Sequence, residues 1–134
     1  MTGIVELDEL LKTMSPKLQD GEYVFCTVTG RLVDYVNLEP LATFIEAEGL
    51  TLILPVESAR RAQLEFEGTF RQITLTVHSS LDAVGLTAAV AAKLTSREIS
   101  ANVVAAFYHD HIFVQSGKAQ EAMQALRELS AADS

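Results

Sequence analysis

The stretch "SSLDAVGLTAAVAAKLTSREISANVVAAF", Ser79 to Phe107, decides the fold because its periodicity changes along its length. Leu86, Val90 and Leu94 recur at four-residue steps, so the spacing predicts a helix from about Val84 to Arg97. Gly85 falls at its start, and glycine inside a helix costs roughly 1 kcal/mol relative to alanine. Such a residue is either tolerated in the first turn or needed where something approaches the backbone closely. Upstream, "RQITLTVHS" alternates Ile73, Leu75 and Val77 against Thr74, Thr76 and His78, a strand with a core face and a wetter face. Downstream, "SANVVAAFY" and "HIFVQ" read as two strands of a hairpin turning at His109 and Asp110. The final segment "KAQEAMQALREL" stacks Ala119, Ala122, Met123, Leu126 and Leu129 on one helical face. From Arg71 the order is therefore β-α-β-β-α.

The first half repeats a related theme. Ile4, Leu7, Leu11 and Met14 predict an amphipathic helix that ends before "SPKLQDG", and "EYVFCTVT" alternates as a strand. After the irregular "GRLVDYVN", "LEPLATFIEAEG" reads as a helix: Pro40 lies near its first turn, Leu38, Leu41 and Ile45 share a face, and Gly49 stops it. "LTLIL" is a short strand closed by Pro55, and "VESARRAQL" a short helix with Glu57 and Arg61 four apart. No flexible linker divides the halves, so the reading is two small α+β units around a shared core.

Composition restricts the partners. Ten basic residues scattered among eighteen acids give a net charge of −8 and no basic stripe for a phosphate backbone, which argues against nucleic acid. No apolar run approaches the ~20 residues that span a bilayer, and "MTGIVELDELLKTM" carries acids where a signal peptide carries lysines, so no membrane contact and a cytoplasmic location are expected. Cys26, the single cysteine, lies in the apolar run "EYVFCTV" and reads as a small buried thiol. The cluster "YHDH" holds metal-compatible side chains, but a turn there would misalign His109 and His111, and no third ligand is evident; no metal or cofactor is expected. His78 reads as lying beside the Gly85 loop. G-x-S-x-G, P-loop and dinucleotide motifs are absent, and Ser79 and Ser80 have only His78 nearby as a base, so no enzyme is expected.

"HSSLDAVGLTAAVAAKLTSREISANVVAAF" resembles the opening β-α-β of an ACT domain, in which a D-x-x-G loop separates the first strand from the helix and an "I-S/N-x-N-V" strand follows. Asp82, Gly85 and Asn102 fall on those positions. Together with "MSPKLQDGEYVFCTV", "LEPLATFIEAEGLTL" and "YHDHIFV", the chain is similar to stand-alone bacterial tandem ACT proteins and to the regulatory half of aspartokinases. The resemblance implies an α+β fold of two ferredoxin-like ACT units, residues 1–67 and 68–134, with an antiparallel sheet and helices on one face. It implies a regulatory protein that senses a free amino acid at the interface of those units, through Ser80, Asp82, Val84, Gly85, Leu86, Asn102 and Val103. A homodimer and a regulated partner enzyme belong to the same expectation. "GRLVDYVN" lacks D-x-x-G, so the first half departs from the pattern.

Two readings of the loop stay open. The unpartnered N–H groups at a helix start favour a carboxylate, with Asp82 receiving an α-amino group. Alternatively Asp82 is an N-cap bonding the N–H of Gly85, and the glycine serves close packing. Asn102 is likewise either a ligand contact or a turn cap. At the level of function, the alternative to a sensor is a non-catalytic interaction module with a vestigial pocket.

Overall fold

The computed structural model describes Glu9, residues 11–76 and residues 85–131. In chain order, Glu9 and residues 11–13 are helical, followed by β1 (Pro16–Leu18), β2 (Tyr23–Val28), β3 (Ala42–Glu46), β4 (Gly49–Pro55), α1 (Val56–Arg61), β5 (Phe70–Leu75), α2 (Leu86–Thr95), β6 (Asn102–Ala105), β7 (Asp110–Gln115) and α3 (Ala119–Ala131). Two 3-10 turns, Leu32–Asp34 and Val36–Leu38, stand between β2 and β3. By compactness the chain forms two units: Gly21–Phe70, and the described residues up to Asp20 together with those from Arg71 onward.

In the unit that joins the described residues up to Asp20 with those from Arg71 onward, β1 pairs antiparallel with β5 from Pro16↔Leu75 to Leu18↔Ile73. β6 pairs antiparallel with β7 from Asn102↔Phe113 to Ala105↔Asp110, and β7 lies beside β5. Alternation sends Ile73, Leu75, Ile112 and Val114 to one face, where Leu86, Val90 and Leu94 of α2 and Ala122, Met123 and Leu126 of α3 bury them. Each fully buried leucine or isoleucine contributes roughly 1.5–3 kcal/mol of apolar transfer. Lys93 and Arg97 of the α2 segment both pair with Glu128 of α3, which holds that exposed carboxyl below its usual range.

In the Gly21–Phe70 unit, β2 and β4 pair from Tyr23↔Pro55 to Val28↔Leu50, and β3 pairs with β4 from Ala42↔Ile53 to Glu46↔Gly49, all antiparallel. Val24, Cys26 and Val28 share a core with Leu50, Leu52 and Leu54, covered by Val56 and Ala59 of α1 and by Leu38. Cys26 is buried, which pushes its thiol up. Among the described residues each unit has its own apolar cluster, where the sequence reading expected a single one.

Three sequence readings are corrected here, and one strand is added. "LEPLATFIEAEG" is not a helix: Glu39 takes a left-handed φ of 56°, and Ala42–Glu46 continues as a strand. Thr43, Phe44 and Ile45 favour an extended backbone, and the ladder to β4 outweighs the helical spacing of Leu38, Leu41 and Ile45. Gly49 opens β4 instead of stopping a helix, since a Cβ there would meet Thr27 Oγ1 at 2.8 Å and the Val28 carbonyl at 3.1 Å. Pro16–Leu18, within "SPKLQDG", is a strand. The β6–β7 hairpin turns at Phe107 and Tyr108, because the Ala106 N–H already bonds the His109 carbonyl at 3.0 Å.

Candidate functional site

The helix α2 starts one residue after Gly85, which stands outside it as the N-cap with φ 96° and accepts the Ala89 N–H at 2.9 Å. A side chain in that left-handed conformation costs roughly 1–2 kcal/mol, so the backbone itself gives a reason for glycine. The N–H groups of the first helical turn have no carbonyl partners within the helix. Ser80, Asp82 and Val84, with His78 and Ser79, lie outside the described residues.

Leu86 and Val103 come together through the core: Leu86 is buried in it, and Val103, opposite Ile112, packs against it. Asn102 is exposed and donates one amide proton to the Phe113 carbonyl at 3.1 Å, which ties the head of β6 to β7 and leaves a second donor on the same nitrogen.

A comparable loop follows β2. Gly30 is also left-handed, φ 107°, and Arg31 donates its N–H to Asp34 Oδ2 at 3.3 Å while the Tyr35 hydroxyl donates to the Thr29 carbonyl. A Cβ on Gly30 would stand 3.3 Å from Asp34 Oδ2. Beside this loop an open cavity of about 540 Å³ reaches the β3–β4 turn, with Arg31, Glu48 and Glu46, whose carboxylate accepts the Thr51 hydroxyl, as charged lining groups and Leu32, Val33 and Ile45 as apolar ones. The guanidinium suits a carboxylate, Glu48 suits an ammonium, and the apolar residues suit a side chain. Sequence reasoning missed Gly30; the signal was a Thr-Gly pair closing an alternating strand.

The face of β5 away from the helices departs from the wet surface its threonines imply. Thr74 and Gln72 are only 4% and 8% exposed. Gln19 Nε2 donates to Thr74 Oγ1 at 3.0 Å, and both Thr74 Oγ1 and Gln72 Nε2 lie 3.0 Å from His111 Nδ1. Two donors on one ring nitrogen make Nδ1 an acceptor and put the proton of a neutral imidazole on Nε2. Burial, aided by His109 and opposed by Asp110, pulls the His111 pKa down. His109 and His111 sit on the same side of the turn rather than across it, and among the described residues no group of three or more His, Cys, Asp or Glu side chains could hold a metal. Nor is any described helix long and apolar enough to cross a membrane.

Comparison with known proteins agrees with this geometry. ACT-domain sequence patterns match residues 2–71 and again residues 67–128. A Vibrio cholerae protein of unknown function, designated a possible transport protein, is 60% identical over 96% of this chain and 99% of its own, with a TM-score of 0.90. An Agrobacterium tumefaciens protein superposes with a TM-score of 0.74 at 15% identity, covering 87% of this chain and 89% of its own. The ligand-free regulatory subunit of aspartate kinase from Thermus thermophilus superposes with a TM-score of 0.60 at 7% identity, covering 87% of this chain and 97% of its own. Comparison with curated proteins gave no match.

Proposed function

Because the chain belongs to the ACT-domain family, whose members are typically regulatory modules that bind small ligands, often amino acids, we propose that it is a non-catalytic sensor of a free amino acid. The observation that carries this reading is a left-handed glycine in the loop after a strand of each unit: Gly30 after β2, beside a cavity with charged groups of both signs, and Gly85 at the head of α2. In the second loop the ligand carboxylate lies at the N–H groups of α2, and Ser80, Asp82, Val84 and Asn102 complete the contacts. In the first, Arg31 takes the carboxylate and Glu48 the ammonium. Cytoplasmic location and a regulated enzyme partner belong to the same reading. So does a homodimer, supported by β3, at the end of the strand order, where Phe44 and Ile45 are 69% and 82% exposed. Light scattering at micromolar concentration measures that assembly directly.

A thermal-shift screen against the twenty amino acids tests the central point. A ligand at a hundredfold over its dissociation constant adds about 2.7 kcal/mol of stability, which raises the melting temperature by several degrees. Gly85→Val and Gly30→Val, each scored for folding by circular dichroism, then report which loop binds, since the branched side chain removes the shift where the carboxylate must lie. A flat response to all twenty leaves a docking module as the function.

A further inference from the structure

The Gly21–Phe70 unit has a second cleft, away from the Gly30 loop. Its shape begins at the end of α1, where the Leu64 N–H donates to the Ala59 carbonyl at 3.0 Å and the Gln63 N–H to the Arg60 carbonyl at 3.1 Å, with Gln63 left-handed at φ 58°. This paired closure turns the chain so that Leu64 and Phe66 pack against the core, while Gln63, Glu65 and Glu67 remain exposed. Opposite runs the non-core face of β2. There Phe25 meets Phe70 edge to face, with centroids 5.1 Å apart and planes at 73°. The ladder between β2 and the head of β5 is registered at Tyr23↔Phe70, and beyond it an open cleft of about 1020 Å³ lies between β2 and the chain from Gln63 to Glu67.

We propose that this cleft binds a weakly hydrated organic cation, of the quaternary ammonium class, with the charged head against the phenylalanine rings and the carboxylates of Glu65 and Glu67 at the rim. Three of the lining side chains are aromatic, two are acidic, and none is a lysine or arginine. Aromatic faces attract cations through their quadrupole, most effectively when the cation sheds water easily, as a quaternary ammonium does. The carboxylates add long-range attraction and select against neutral molecules of the same shape. With no basic group in the lining, a free carboxylate on the ligand would have no partner, so a zwitterionic amino acid fits poorly here. The site is therefore independent of the amino-acid reading.

The test compares choline with its neutral isostere 3,3-dimethylbutan-1-ol by following backbone amide shifts of the full chain. Choline is expected to perturb the amides of Phe25, Thr27 and residues 63–70, with the isostere binding about tenfold more weakly. Glu65→Gln combined with Glu67→Gln, both at exposed positions, should weaken choline severalfold and leave the isostere unchanged; raised salt should act in the same direction. Equal binding of choline and isostere, or shifts that map elsewhere, overturns the proposal. So does a double variant that binds choline as the wild type does. Failure here leaves the amino-acid screen unaffected, because the two experiments use different ligands and report on different residues.

Discussion

The segments that follow β5 and β2 do the same job with different means. After β5 the chain builds ten residues of α-helix, "LTAAVAAKLT", whose Leu86, Val90 and Leu94 close the core. After β2 it builds only two 3-10 turns of three residues each, with Leu38 as their single buried side chain. Alanines permit a helix at little conformational cost, whereas "RLVDYVNLEP" combines β-branched residues, a locally bonding Asp34 and Pro40, each a reason for the helix to stop. A covering element is thus required at this place in each unit, but a regular helix is not. The ends of α1 and α2, by contrast, are alike. Gln63 and Glu98 occupy left-handed positions at φ 58° and 60°, and Leu64 and Ile99 return their N–H groups to Ala59 and Leu94.

Removing the covering side chains tests that contrast most strongly. Leu94→Ala should cost about 3–4 kcal/mol, as a fully enclosed leucine, and Leu38→Ala about 2 kcal/mol, because the short turn can settle into the space. Urea titration gives both values, and equal costs would break the claim that the two covers differ in kind. The shared closure should respond equally in both units and by less. Gln63→Gly and Glu98→Gly each relieve a left-handed side chain, for a net gain of about 0.5–1 kcal/mol after the extra freedom of glycine in the unfolded chain. A gain in one unit only would show that the two ends are not equivalent.

The smallest effect expected is on pH dependence, and it should arise from one unit. The face of β2 and β4 opposite their core carries Phe25 and Ile53, while the corresponding side of β5 and β7 carries Gln72, Thr74 and His111. His111 has a pKa below 6.5 in the folded chain, so the unfolded chain binds more protons just beneath that value. Its contribution is present in full above the unfolded pKa and is lost as pH falls through the window below it. Asp110 resists that loss, His109 promotes it, and Lys17 stands opposite Thr74 on β1. Denaturation midpoints of the wild type should therefore fall more steeply than those of His111→Gln as pH drops below the usual imidazole value of about 6.5. Parallel curves would remove His111 from the account.

Much of this architecture was legible in the residues. The stripes of α2 and α3 and the alternation in β2 and β5 were clear because one face of each carries apolar core residues, although in β5 the polar face of Gln72 and Thr74 is buried as well. β3 left no such trace: Phe44, Ile45 and Glu46 are all exposed, so backbone pairing holds the strand and the side chains carry no alternation. β1 is three residues beginning with proline. The hairpin turn was misplaced because His-Asp looks like turn chemistry while Phe-Tyr looks like strand, yet those rings stand 75% and 67% exposed and meet edge to face at 5.0 Å. Gly85 was legible as a glycine out of place, and its left-handed φ gives a backbone reason for it. Gly30 was not, since its loop is organised by Asp34 and Tyr35 acting on the backbone rather than by a recognisable motif.

The pairing of Pro16–Leu18 with Ile73–Leu75 sets an order of events during synthesis. The Gly21–Phe70 unit is continuous, so all its strands have been synthesised before Arg71 is added. β1 is made earlier yet must wait for β5, and the Met14 carbonyl waits longer still, for the Ser130 hydroxyl that donates to it at 3.0 Å. The Gly21–Phe70 unit therefore has all its strands available first, and the other unit closes only once residue 130 has been made. A ribosome stalled after residue 70 would hold β1 without its β5 partner, a short strand open to pairing with other chains.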